Sequence, residues 1–466
     1  MTATMTHPIS DANGILDTDS YKSSHFLQYP PHLTRLFSYL ESRGGKYPAT
    51  RFFGLQYVLK RSLMRPITRE MVEEARDLIT AHGEPFPYEG WLRVVDVHGG
   101  RLPLEVRAVP EGTLVPNHNV LMSVTNTDPE LPWLVGWFET TLMRVWYPTT
   151  VATQSYYLRG IIAQALMQTA DHPEAELPFK LHDFGSRGVS SRESAGIGGL
   201  AHLVNFQGTD TLEALREARN YYHAAVAGYS IPAAEHSTIT SWGKAHEVDA
   251  FRHALQTFGQ PGKVFAVVSD SYDLKNAINE YWGTQLHDEV LASGATLVVR
   301  PDSGEPAAMV RMAVRALAAK FGTTVNGKGY QVLRGVRVIQ GDGIDEESIR
   351  EILAAVIGDG FSAENVTFGM GGALLQKVDR DTQRFAYKAS AAIVDGHYQP
   401  IYKDPVTDPG KRSKDGVLDL IMENGRMVTK QYTSFDTDFP GSLMRVVYRN
   451  GELLVDDTLD EVRGRA

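Results

Sequence analysis

The sequence predicts an α/β protein whose main body is an α/β barrel. From about residue 178 onward, short apolar runs recur, and each ends in a polar or glycine-rich loop that leads into a helical stretch. These runs cover residues 179–185, 264–270, 296–304, 336–343 and 366–372. Near-continuous apolar strands that alternate with helices indicate a parallel sheet buried on both faces. Because polar residues stand at the carboxyl end of each run, a barrel with its site at those ends is favoured over an open sheet.

The segments on either side of the barrel predict an additional α+β domain. Alternating apolar and polar residues predict strands, and apolar residues three and four apart predict helices. The expected helices cover residues 52–64, 68–81, 132–146 and 149–167, and the expected strands cover residues 104–109, 120–125, 385–394, 418–422 and 443–447. The last two strands are expected to return to the N-terminal sheet. We therefore assign residues 151–384 to the barrel and residues 1–150, completed by about 385–466, to the α+β domain.

Composition and charge argue against several classes of protein. The 46 lysines and arginines against 56 aspartates and glutamates give a net charge of −10, so no global positive field attracts nucleic acid. The chain contains no cysteine, which removes disulfides, thiolate metal sites and cysteine nucleophiles and fits a reducing compartment. The N-terminus lacks the apolar core of a signal peptide, and no apolar run approaches the ~18 residues of a membrane span. We expect a soluble cytoplasmic protein without membrane or nucleic-acid partners.

The stretch GYSIPAAEHSTITSW at residues 228–242 places His236 beside a glutamate and a run of hydroxyls. One interpretation makes His236 an N-terminal helix residue, with Ser237 and Thr238 as caps. The other makes it a base or nucleophile, which needs an orienting carboxylate. Asp270, at the end of the next apolar run, is the candidate for that carboxylate, although it could instead cap a helix beginning near Tyr272.

The ends of the predicted strands together offer a binding site for a phosphorylated ligand. They carry His182, Arg187, His236, Asp270, Arg300, Asp302, Asp342 and the glycine-rich loop at 369–372. Arginine binds phosphate oxygens bidentately, and open backbone N–H groups cradle a further phosphate. The carboxylates would then hold ribose hydroxyls or Mg²⁺, which prefers oxygen ligands and bound phosphates.

Asp210 lies in the sequence NFQGTDT at residues 205–211 and has two interpretations. It could cap a helix that begins at Leu212. At the mouth of a pocket, its carboxylate would instead select an uncharged N–H donor and repel a carboxylate ligand.

The chain resembles the nicotinamide phosphoribosyltransferases, which belong to the type II phosphoribosyltransferases, over most of its length. The motifs that carry the resemblance are DTDSYK at 17–22, LHDFGSRGVSS at 181–191, NFQGTDT at 205–211, PAAEHST at 232–238, VSDSYD at 268–273, RPDSG at 300–304 and QGDG at 340–343. The resemblance implies an irregular α/β barrel with an additional α+β domain formed by the N- and C-terminal segments. It also implies a cytoplasmic homodimer with shared active sites, which transfers phosphoribosyl from phosphoribosyl pyrophosphate to nicotinamide. Mg²⁺ is the implied cofactor, and ATP is the implied co-substrate, hydrolysed through a phosphohistidine.

The resemblance also implies a role for each matching residue. His236 would be the phosphorylated residue and Asp270 its partner. Phe184 and Tyr21 of the partner subunit would sandwich the pyridine ring, and Asp210 would receive the carboxamide N–H. Further substrate-binding residues would be Arg187, Arg300, Asp302 (also a candidate Mg²⁺ ligand), Gly341, Asp342, Gly371, Gly372 and Arg380, and the pyrophosphate side would be lined by Arg43, Lys388, Lys403 and Lys411.

Three positions depart from the vertebrate members of that family. Ala266 and Ala386 stand where serines are usual, and Ser186 stands where a tyrosine is usual. These positions bear on affinity and inhibitor sensitivity more than on the reaction. Competing interpretations are a nicotinate phosphoribosyltransferase of the same fold, an unrelated barrel enzyme acting on a sugar phosphate, and a non-catalytic protein that keeps the fold.

Overall fold

The structure is a computed structural model that describes residues 9–407 and 412–466. It divides into two compact units. The first is formed by the chain up to Thr153 and again from Asp379, and the second by Gln154–Val378. The domain limits derived from the sequence, 1–150 with about 385–466 and 151–384, remain a proposal.

The described residues of the first unit form eleven strands, numbered here along the whole chain. They are β1 (Leu33–Ser42), β2 (Ala49–Arg51), β3 (Leu104–Ala108), β4 (Leu114–Pro116), β5 (Val120–Asn126), β14 (Phe385–Val394), β15 (His397–Pro400), β16 (Val417–Glu423), β17 (Arg426–Tyr432), β18 (Arg445–Arg449) and β19 (Glu452–Leu453). Seven of them form an antiparallel sheet in the order β15-β14-β1-β5-β3-β18-β19. The two chain segments therefore share one sheet, in which strands from the C-terminal segment pair with β1 and β3.

Most strands expected in this unit are confirmed, with one error of pairing. The predictions at 104–109, 120–125, 385–394 and 443–447 correspond to β3, β5, β14 and β18. The strand at 418–422 exists as β16, but its ladder is formed with β17 and lies outside the seven-stranded sheet, so its expected return to that sheet is wrong. The cause is the turn between them, where Asn424 and Gly425 both take positive φ values (49° and 74°) and close a tight hairpin.

Short helices surround this sheet. They cover Leu55–Val58 with a following π turn at Leu59–Leu63, Arg69–His82, Tyr88–Asp96, Leu134–Trp137, Glu139–Met143 and Leu459–Gly464, and a long helix at Trp146–Thr169 leads into the second unit. The single helix predicted at 132–146 is wrong, because Phe138 leaves the helical conformation (φ −84°, ψ 8°). The break accompanies a cluster of aromatic rings in which Trp91 makes edge contacts with Trp133, Trp137 and Phe138.

The second unit is an α/β barrel, which confirms the predicted fold class. Its strands are β6 (Leu181–Asp183), β7 (Gly208–Thr209), β8 (Val264–Val268), β9 (Thr296–Arg300), β10 (Thr323–Val325), β11 (Gln331–Leu333), β12 (Val336–Gln340) and β13 (Val366–Met370). Six of these form a parallel sheet in the order β7-β6-β13-β12-β9-β8, and β10 and β11 form a separate hairpin. The carboxyl ends of the six parallel strands therefore lie at one edge.

Residues 229–234, called here the closing segment, join the two edges of this sheet. At one end Thr209 N donates to Tyr229 O at 3.0 Å, next to the β7 edge. At the other end Ala266 N, in β8, donates to Pro232 O, and Ala234 N donates to Ala266 O, both at 2.9 Å. The closing segment thus completes the barrel with backbone hydrogen bonds and leads directly to His236.

Helices follow the barrel strands in the βα order expected from the sequence. They cover Pro173–Glu176, Arg192–His202, Leu212–Tyr222, His236–Thr240, Glu247–Phe258, Leu274–Asn276 with a π turn at Ala277–Gln285, His287–Ser293, Pro306–Phe321, Glu346–Gly358 and Gly372–Leu375. Among the described residues, no helix is both long enough and apolar enough to cross a bilayer.

Asp128 is a buried carboxylate that ties the loop after β5 to the helix Tyr88–Asp96. It is 4% exposed and accepts hydrogen bonds from Arg93 Nε and His98 Nε2, both at 2.7 Å. Burial disfavours its charged form, but the bonds from Arg93 and His98 outweigh this effect, so the pKa of Asp128 is lowered. The ionised form of Asp128 therefore stabilises the folded state.

We predict that Asp128→Asn lowers the free energy of unfolding at pH 7 by about 1–3 kcal/mol, because charged hydrogen bonds are lost. A lowered pKa gives a contribution that is present above the ordinary value of 3.8 and is lost as the pH falls through the folded value. The wild type should therefore approach the variant in stability on acidification, as measured by urea unfolding at pH 7 and pH 3. Asp96→Asn removes an exposed carboxylate paired with Arg69 and serves as the control. Equal stability of the two variants at pH 7 would contradict the prediction.

Candidate active site

His236 is the first residue of the short helix His236–Thr240, which begins two residues after the closing segment. The prediction that His236 is an N-terminal helix residue is therefore confirmed. Its proposed caps are wrong, because the Ser237 hydroxyl donates to the Glu235 carboxylate and Thr238 Oγ1 donates to Glu235 O. The imidazole itself is 46% exposed and is directed towards the strand ends.

Three side chains surround the His236 ring. Nδ1 lies 3.0 Å from Ser271 Oγ. Nε2 lies 3.3 Å from Asp302 Oδ2 and 3.9 Å from Asp270 Oδ1. Two carboxylates therefore face one nitrogen, and Asp302 is the nearer, whereas the sequence had suggested Asp270 alone. With both carboxylates facing Nε2, the tautomer that carries its proton on Nε2 is favoured, and Nδ1 keeps its lone pair.

Asp270 follows β8 and is almost fully buried, with a side chain 3% exposed. Its Oδ2 accepts hydrogen bonds from Asp302 N at 2.9 Å and Ser303 Oγ at 2.6 Å. Its Oδ1 finds no hydrogen-bond partner within the described chain and points towards His236. The alternative in which Asp270 caps a helix is wrong, because Asp273 caps the helix Leu274–Asn276. Asp270 is thus a carboxylate whose orientation is fixed through Oδ2 and whose Oδ1 is available to His236 or to a ligand.

Arg300, the last residue of β9, contributes positive charge beside these carboxylates. Its Nη2 lies 3.7 Å from Asp302 Oδ2. Its Nε is buried without a hydrogen-bond partner among the residues that the structure describes. A buried guanidinium N–H without a hydrogen-bond partner destabilises the folded protein. An anionic ligand that accepts a hydrogen bond from it would remove this cost.

Phe184 follows β6 and lies where three strand ends meet. Its backbone N donates to Met370 O at 3.0 Å, which fixes the loop against β13. A Cβ added to Gly369 would lie 2.0 Å from the Phe184 ring, and one added to Gly341 would lie 3.4 Å from the ring and 3.5 Å from Asp302 Oδ1. The absence of a side chain at Gly369 therefore permits the ring to occupy its position, a role that the sequence did not suggest.

A cavity of about 410 Å³ occupies the inside of the barrel. Phe184, Asp210 and Arg300 line it near the carboxyl ends of the strands, and Val264 and Thr296, the first residues of β8 and β9, line it near the amino ends. Its walls include the buried side chains of Ala266, Val298 and Ile339. The volume is within the range of small-molecule sites. Ala266, one of the three departures from vertebrate relatives, lies in this wall.

Asp210 stands at the mouth of the cavity, after β7. Its backbone N donates to Asp183 O at 3.0 Å, and its carboxylate accepts a hydrogen bond from the Ser230 hydroxyl. The capping interpretation is wrong, because Thr211 is the N-cap residue of the helix Leu212–Tyr222. Beside it, burial lowers the pKa of His182, so this imidazole is neutral near pH 7. Burial also raises the pKa of Asp183 to about 6.

The remaining predicted residues of the barrel lie at the same edge. Gly371 and Gly372 follow β13, and a Cβ on Gly188 would lie 3.4 Å from Gly372 Cα, so the loop carrying Arg187 approaches this turn. Arg187 and Asp342 are exposed. Gln340 Nε2 donates to Asp342 O at 2.9 Å and shapes the turn after β12.

The other predicted residues belong to the first unit. Tyr21 is 56% exposed and makes an edge contact with His25 at 4.9 Å. Arg380 pairs with Asp381 at 3.7 Å, and Lys388 Nζ donates to Tyr387 O at 2.8 Å. Lys411 lies outside the described residues.

Two serines of the site were not singled out from the sequence. Ser271 contacts His236, and Ser230 contacts Asp210. Ser271 lies within the motif VSDSYD and adjoins Asp270. Ser230 lies two residues before the motif PAAEHST, in the stretch at 228–242 that contains His236. For Ser271, the neighbouring Asp270 was the available signal.

The carboxyl ends of the parallel strands gather a histidine, carboxylates, glycine turns and an arginine donor that has no partner in the described chain. This arrangement suits an enzyme site for a phosphorylated ligand. Residues 179–452 match the nicotinate phosphoribosyltransferase (NAPRTase) family, and residues 13–106 match the N-terminal domain of nicotinamide phosphoribosyltransferase. The chain belongs to the nicotinate phosphoribosyltransferase family and is a pentosyltransferase.

Curated relatives agree with this assignment, and solved structures share the fold. The chain is 55% identical over 461 residues to the nicotinamide phosphoribosyltransferase of Xanthomonas campestris pv. campestris, covering 97% of this chain and 98% of that protein. It is 31% identical over 503 aligned positions to the nicotinamide phosphoribosyltransferase of Acinetobacter baylyi, covering 99% and 98%. Its fold is shared with nicotinate-nucleotide pyrophosphorylase from Pyrococcus furiosus (TM-score 0.62, 17% identity, 100% and 97% covered). Human nicotinic acid phosphoribosyltransferase also shares it (TM-score 0.57, 21% identity, 96% and 92% covered).

We predict that Gly369→Ala displaces the Phe184 ring and lowers the free energy of unfolding by about 1–3 kcal/mol, the usual effect of overpacking. Urea unfolding followed by intrinsic fluorescence measures the change. Gly372→Ala is the matched control, because its added Cβ meets no described atom within 4 Å. A Gly369→Ala protein as stable as Gly372→Ala would show that the ring is not constrained by this contact.

Proposed function

We propose that the protein transfers phosphoribosyl from phosphoribosyl pyrophosphate to nicotinamide, giving nicotinamide mononucleotide and pyrophosphate. The observation that carries the choice of nicotinamide is Asp210, a carboxylate at the mouth of the cavity beside Phe184. A carboxylate accepts the carboxamide N–H of nicotinamide and repels the carboxylate of nicotinate. The names of the Xanthomonas and Acinetobacter relatives support the same acceptor.

The pyridine ring would bind between two aromatic side chains. Phe184 is held in place by β13 and Gly369 and presents its ring to the cavity. Tyr21 of the partner subunit would supply the second ring, and the exposure of Tyr21 suits this role. Stacking of this kind aligns the ring nitrogen for attack. This proposal includes a homodimer with shared active sites.

The phosphoribosyl group would bind at the strand ends. Asp302 and Asp342 would hold the ribose hydroxyls, and Gly341, Gly371 and Gly372 would allow backbone N–H groups to approach the 5′-phosphate. Arg187, Arg300 and Arg380 would contribute charged donors, and Arg43, Lys388, Lys403 and Lys411 would receive the pyrophosphate. The buried Nε of Arg300, without a partner in the described chain, supports anion binding here.

Mg²⁺ fits this site only together with the phosphates of a substrate. In the described residues no three His, Cys, Asp or Glu side chains form a ready metal cage. Asp302 and the unpartnered Oδ1 of Asp270 offer hard oxygen donors, and one or two carboxylates plus phosphate oxygens are the usual Mg²⁺ ligands. When bound, Mg²⁺ would neutralise charge on the leaving pyrophosphate.

His236 would accept a phosphoryl group from ATP, releasing ADP, and hydrolysis of the phosphohistidine would release phosphate. The lone pair on Nδ1 would form the bond to phosphorus, while the carboxylates of Asp302 and Asp270 hold the proton on Nε2. Phosphorylation adds negative charge beside Arg300 and recruits cations, which would tighten binding of the phosphoribosyl substrate. The short helix that begins at His236 presents the ring to the strand ends.

The bond from C1 of the ribose to pyrophosphate breaks as the pyridine nitrogen approaches, through a state with oxocarbenium character. Stabilising the leaving pyrophosphate and aligning the ring nitrogen are therefore the main tasks of the protein. The arginines and lysines would perform the first task, and Phe184 with Asp210 would perform the second. Ser230, which donates to Asp210, would hold that carboxylate in orientation.

We predict that Asp210→Asn raises kcat/KM for nicotinate relative to nicotinamide by about tenfold or more, because it removes repulsion between like charges. Mononucleotide formation from each acceptor at saturating phosphoribosyl pyrophosphate measures the ratio. Asp249→Asn, which neutralises a carboxylate on the helix Glu247–Phe258, is the control for net charge. An unchanged ratio would reject the role of Asp210, and a wild type that prefers nicotinate would favour nicotinate phosphoribosyltransfer as the alternative activity.

We predict that His236→Ala abolishes the stimulation of mononucleotide formation by ATP and leaves a basal rate. The reason is that the imidazole is the only group proposed to carry the phosphoryl transfer. The measurement compares initial rates with and without ATP, together with acid-labile ³²P incorporation from γ-labelled ATP. His246→Ala is a matched control, since His246 also pairs with a carboxylate, Asp249, at 2.8 Å. Full ATP stimulation in His236→Ala would reject the phosphohistidine.

A further inference from the structure

Several cations gather beside β1 and β14 in the first unit. Lys388, in β14, stands directly opposite Tyr39 of β1. Burial lowers the pKa of Lys388; Glu139 opposes this effect, and the charges of Arg43, Lys403 and Lys22 lower the pKa further. Arg43, Lys403 and Lys22 therefore lie within electrostatic range of Lys388. These cations, together with Lys388, include three of the four residues proposed for the pyrophosphate.

Glu41 is a buried carboxylate that binds two cations on this side of the sheet. Its side chain is 3% exposed. Oε1 accepts a hydrogen bond from Arg43 Nε at 2.8 Å, and Oε2 accepts one from Lys414 Nζ. Glu41 therefore bridges the end of β1 to the segment that leads into β16.

The position of Glu41 follows from strand register. Side chains two residues apart on a strand share a face, so Tyr39 and Glu41 point the same way. Opposite them on β14 lie Lys388 and Ala386. The methyl group of Ala386 offers no hydroxyl to the carboxylate, so the bonds to Glu41 come from Arg43, from Lys414 and, at 3.5 Å, from the Tyr39 hydroxyl. Ala386 is one of the positions where vertebrate relatives usually carry serine.

The backbone around both cations is also fixed. Arg43 N donates to Arg384 O at 3.1 Å, and a Cβ on Gly45 would lie 2.1 Å from Thr382 O, so this turn packs against the 379–384 loop. Lys414 N donates to the hydroxyl of Tyr39 at 3.1 Å. Next to Lys414, Ser413 accepts a hydrogen bond through its Oγ from Lys403 N at 3.0 Å.

Arg43 retains a donor for a ligand. While Nε binds Glu41, its Nη2 is buried and has no hydrogen-bond partner among the described residues. Burial disfavours the charge on Arg43, but the hydrogen bond and charge of Glu41 more than compensate and raise its pKa. Arg43 is therefore a charged side chain held by Glu41 through Nε, and its Nη2 amino group is available to a ligand.

We propose that Glu41 is a positioning residue for diphosphate: it holds Arg43 and Lys414 in the geometry that receives the pyrophosphate group of the substrate. Lys414 is added by this geometry to the cations named above. The inference rests on the proposed function, because it takes a phosphoribosyl pyrophosphate substrate as given.

Charge alone and positioning predict opposite results. Glu41→Gln makes the cluster more positive by one unit, so a site that works by net charge would bind diphosphate more tightly. If orientation of Arg43 and Lys414 matters, the variant binds diphosphate more weakly although its charge has become more favourable. The sign of the change therefore decides between the two.

The experiment titrates inorganic pyrophosphate in magnesium buffer into the full-length wild type, Glu41→Gln and Glu41→Asp by isothermal calorimetry. We expect the dissociation constant to rise about tenfold in Glu41→Gln, the effect of losing charged hydrogen bonds, and less in Glu41→Asp, which keeps the carboxylate. In turnover assays, KM for phosphoribosyl pyrophosphate should rise in parallel while KM for nicotinamide stays constant. Thermal unfolding of each variant confirms that it is folded.

Asp128→Asn is the matched control, because it also removes a buried carboxylate bonded to cations in the first unit, away from the proposed pyrophosphate residues. It should lose stability without a change in pyrophosphate binding. Unchanged or tighter binding by Glu41→Gln would overturn the proposal, as would a wild type that does not bind pyrophosphate. If Glu41→Gln does not fold, Glu41→Asp decides by the same criterion. A wild type that binds pyrophosphate but forms no mononucleotide would reject the proposed function and leave the role of Glu41 standing.

Discussion

Backbone hydrogen bonds of the closing segment are the constraint on which the catalytic unit depends. Without the bonds from Thr209 N to Tyr229 O and from Ala266 N to Pro232 O, the parallel sheet would keep two open edges. With them, the barrel encloses a cavity, and the chain that closes it continues directly to His236. The same segment supplies Ser230 to Asp210. Closing the barrel and assembling the site are thus accomplished by one short stretch of chain.

The electrostatic design of the site follows from where its carboxylates are held. One oxygen of Asp270 accepts hydrogen bonds from Asp302 N and Ser303 Oγ, and its second oxygen faces His236. Arg300 stands beside Asp302 with a buried donor that the described chain does not satisfy. Unsatisfied buried groups of both signs destabilise a protein without ligand and favour a ligand that carries phosphate, hydroxyl and metal together. In the first unit, Glu41 of β1 likewise holds the side chains of Arg43 and Lys414 in place for an anionic ligand.

The sequence predicted the parts of the site that depend on strand ends. Apolar runs show where each buried strand ends. The sequence therefore predicts that Asp270, Arg300 and Asp302 lie at the same edge of the sheet. It did not predict contacts between residues far apart in the sequence, such as that between Ser271 and His236. A serine in a polar loop belongs to no periodic pattern that would indicate its partner. The closing segment was missed because a proline and two alanines do not resemble a strand. The strand β1 was not predicted either. Seven consecutive residues of its ten are buried, so buried and exposed positions do not alternate along it. The family resemblance supplied roles that geometry alone would not have distinguished.

The arrangement of the sheet in the first unit has a consequence for synthesis on the ribosome. In the finished protein β1 lies between β5 and β14, and β14 begins at Phe385, after the entire barrel has been made. At ordinary rates of translation, the β14 side of β1 therefore remains an unpaired edge for tens of seconds. Its central stretch, Leu36 to Leu40, is largely apolar, and exposed edges of this kind recruit other chains. The order of the strands along the chain therefore leaves one edge of β1 open to other chains while the barrel is being synthesised.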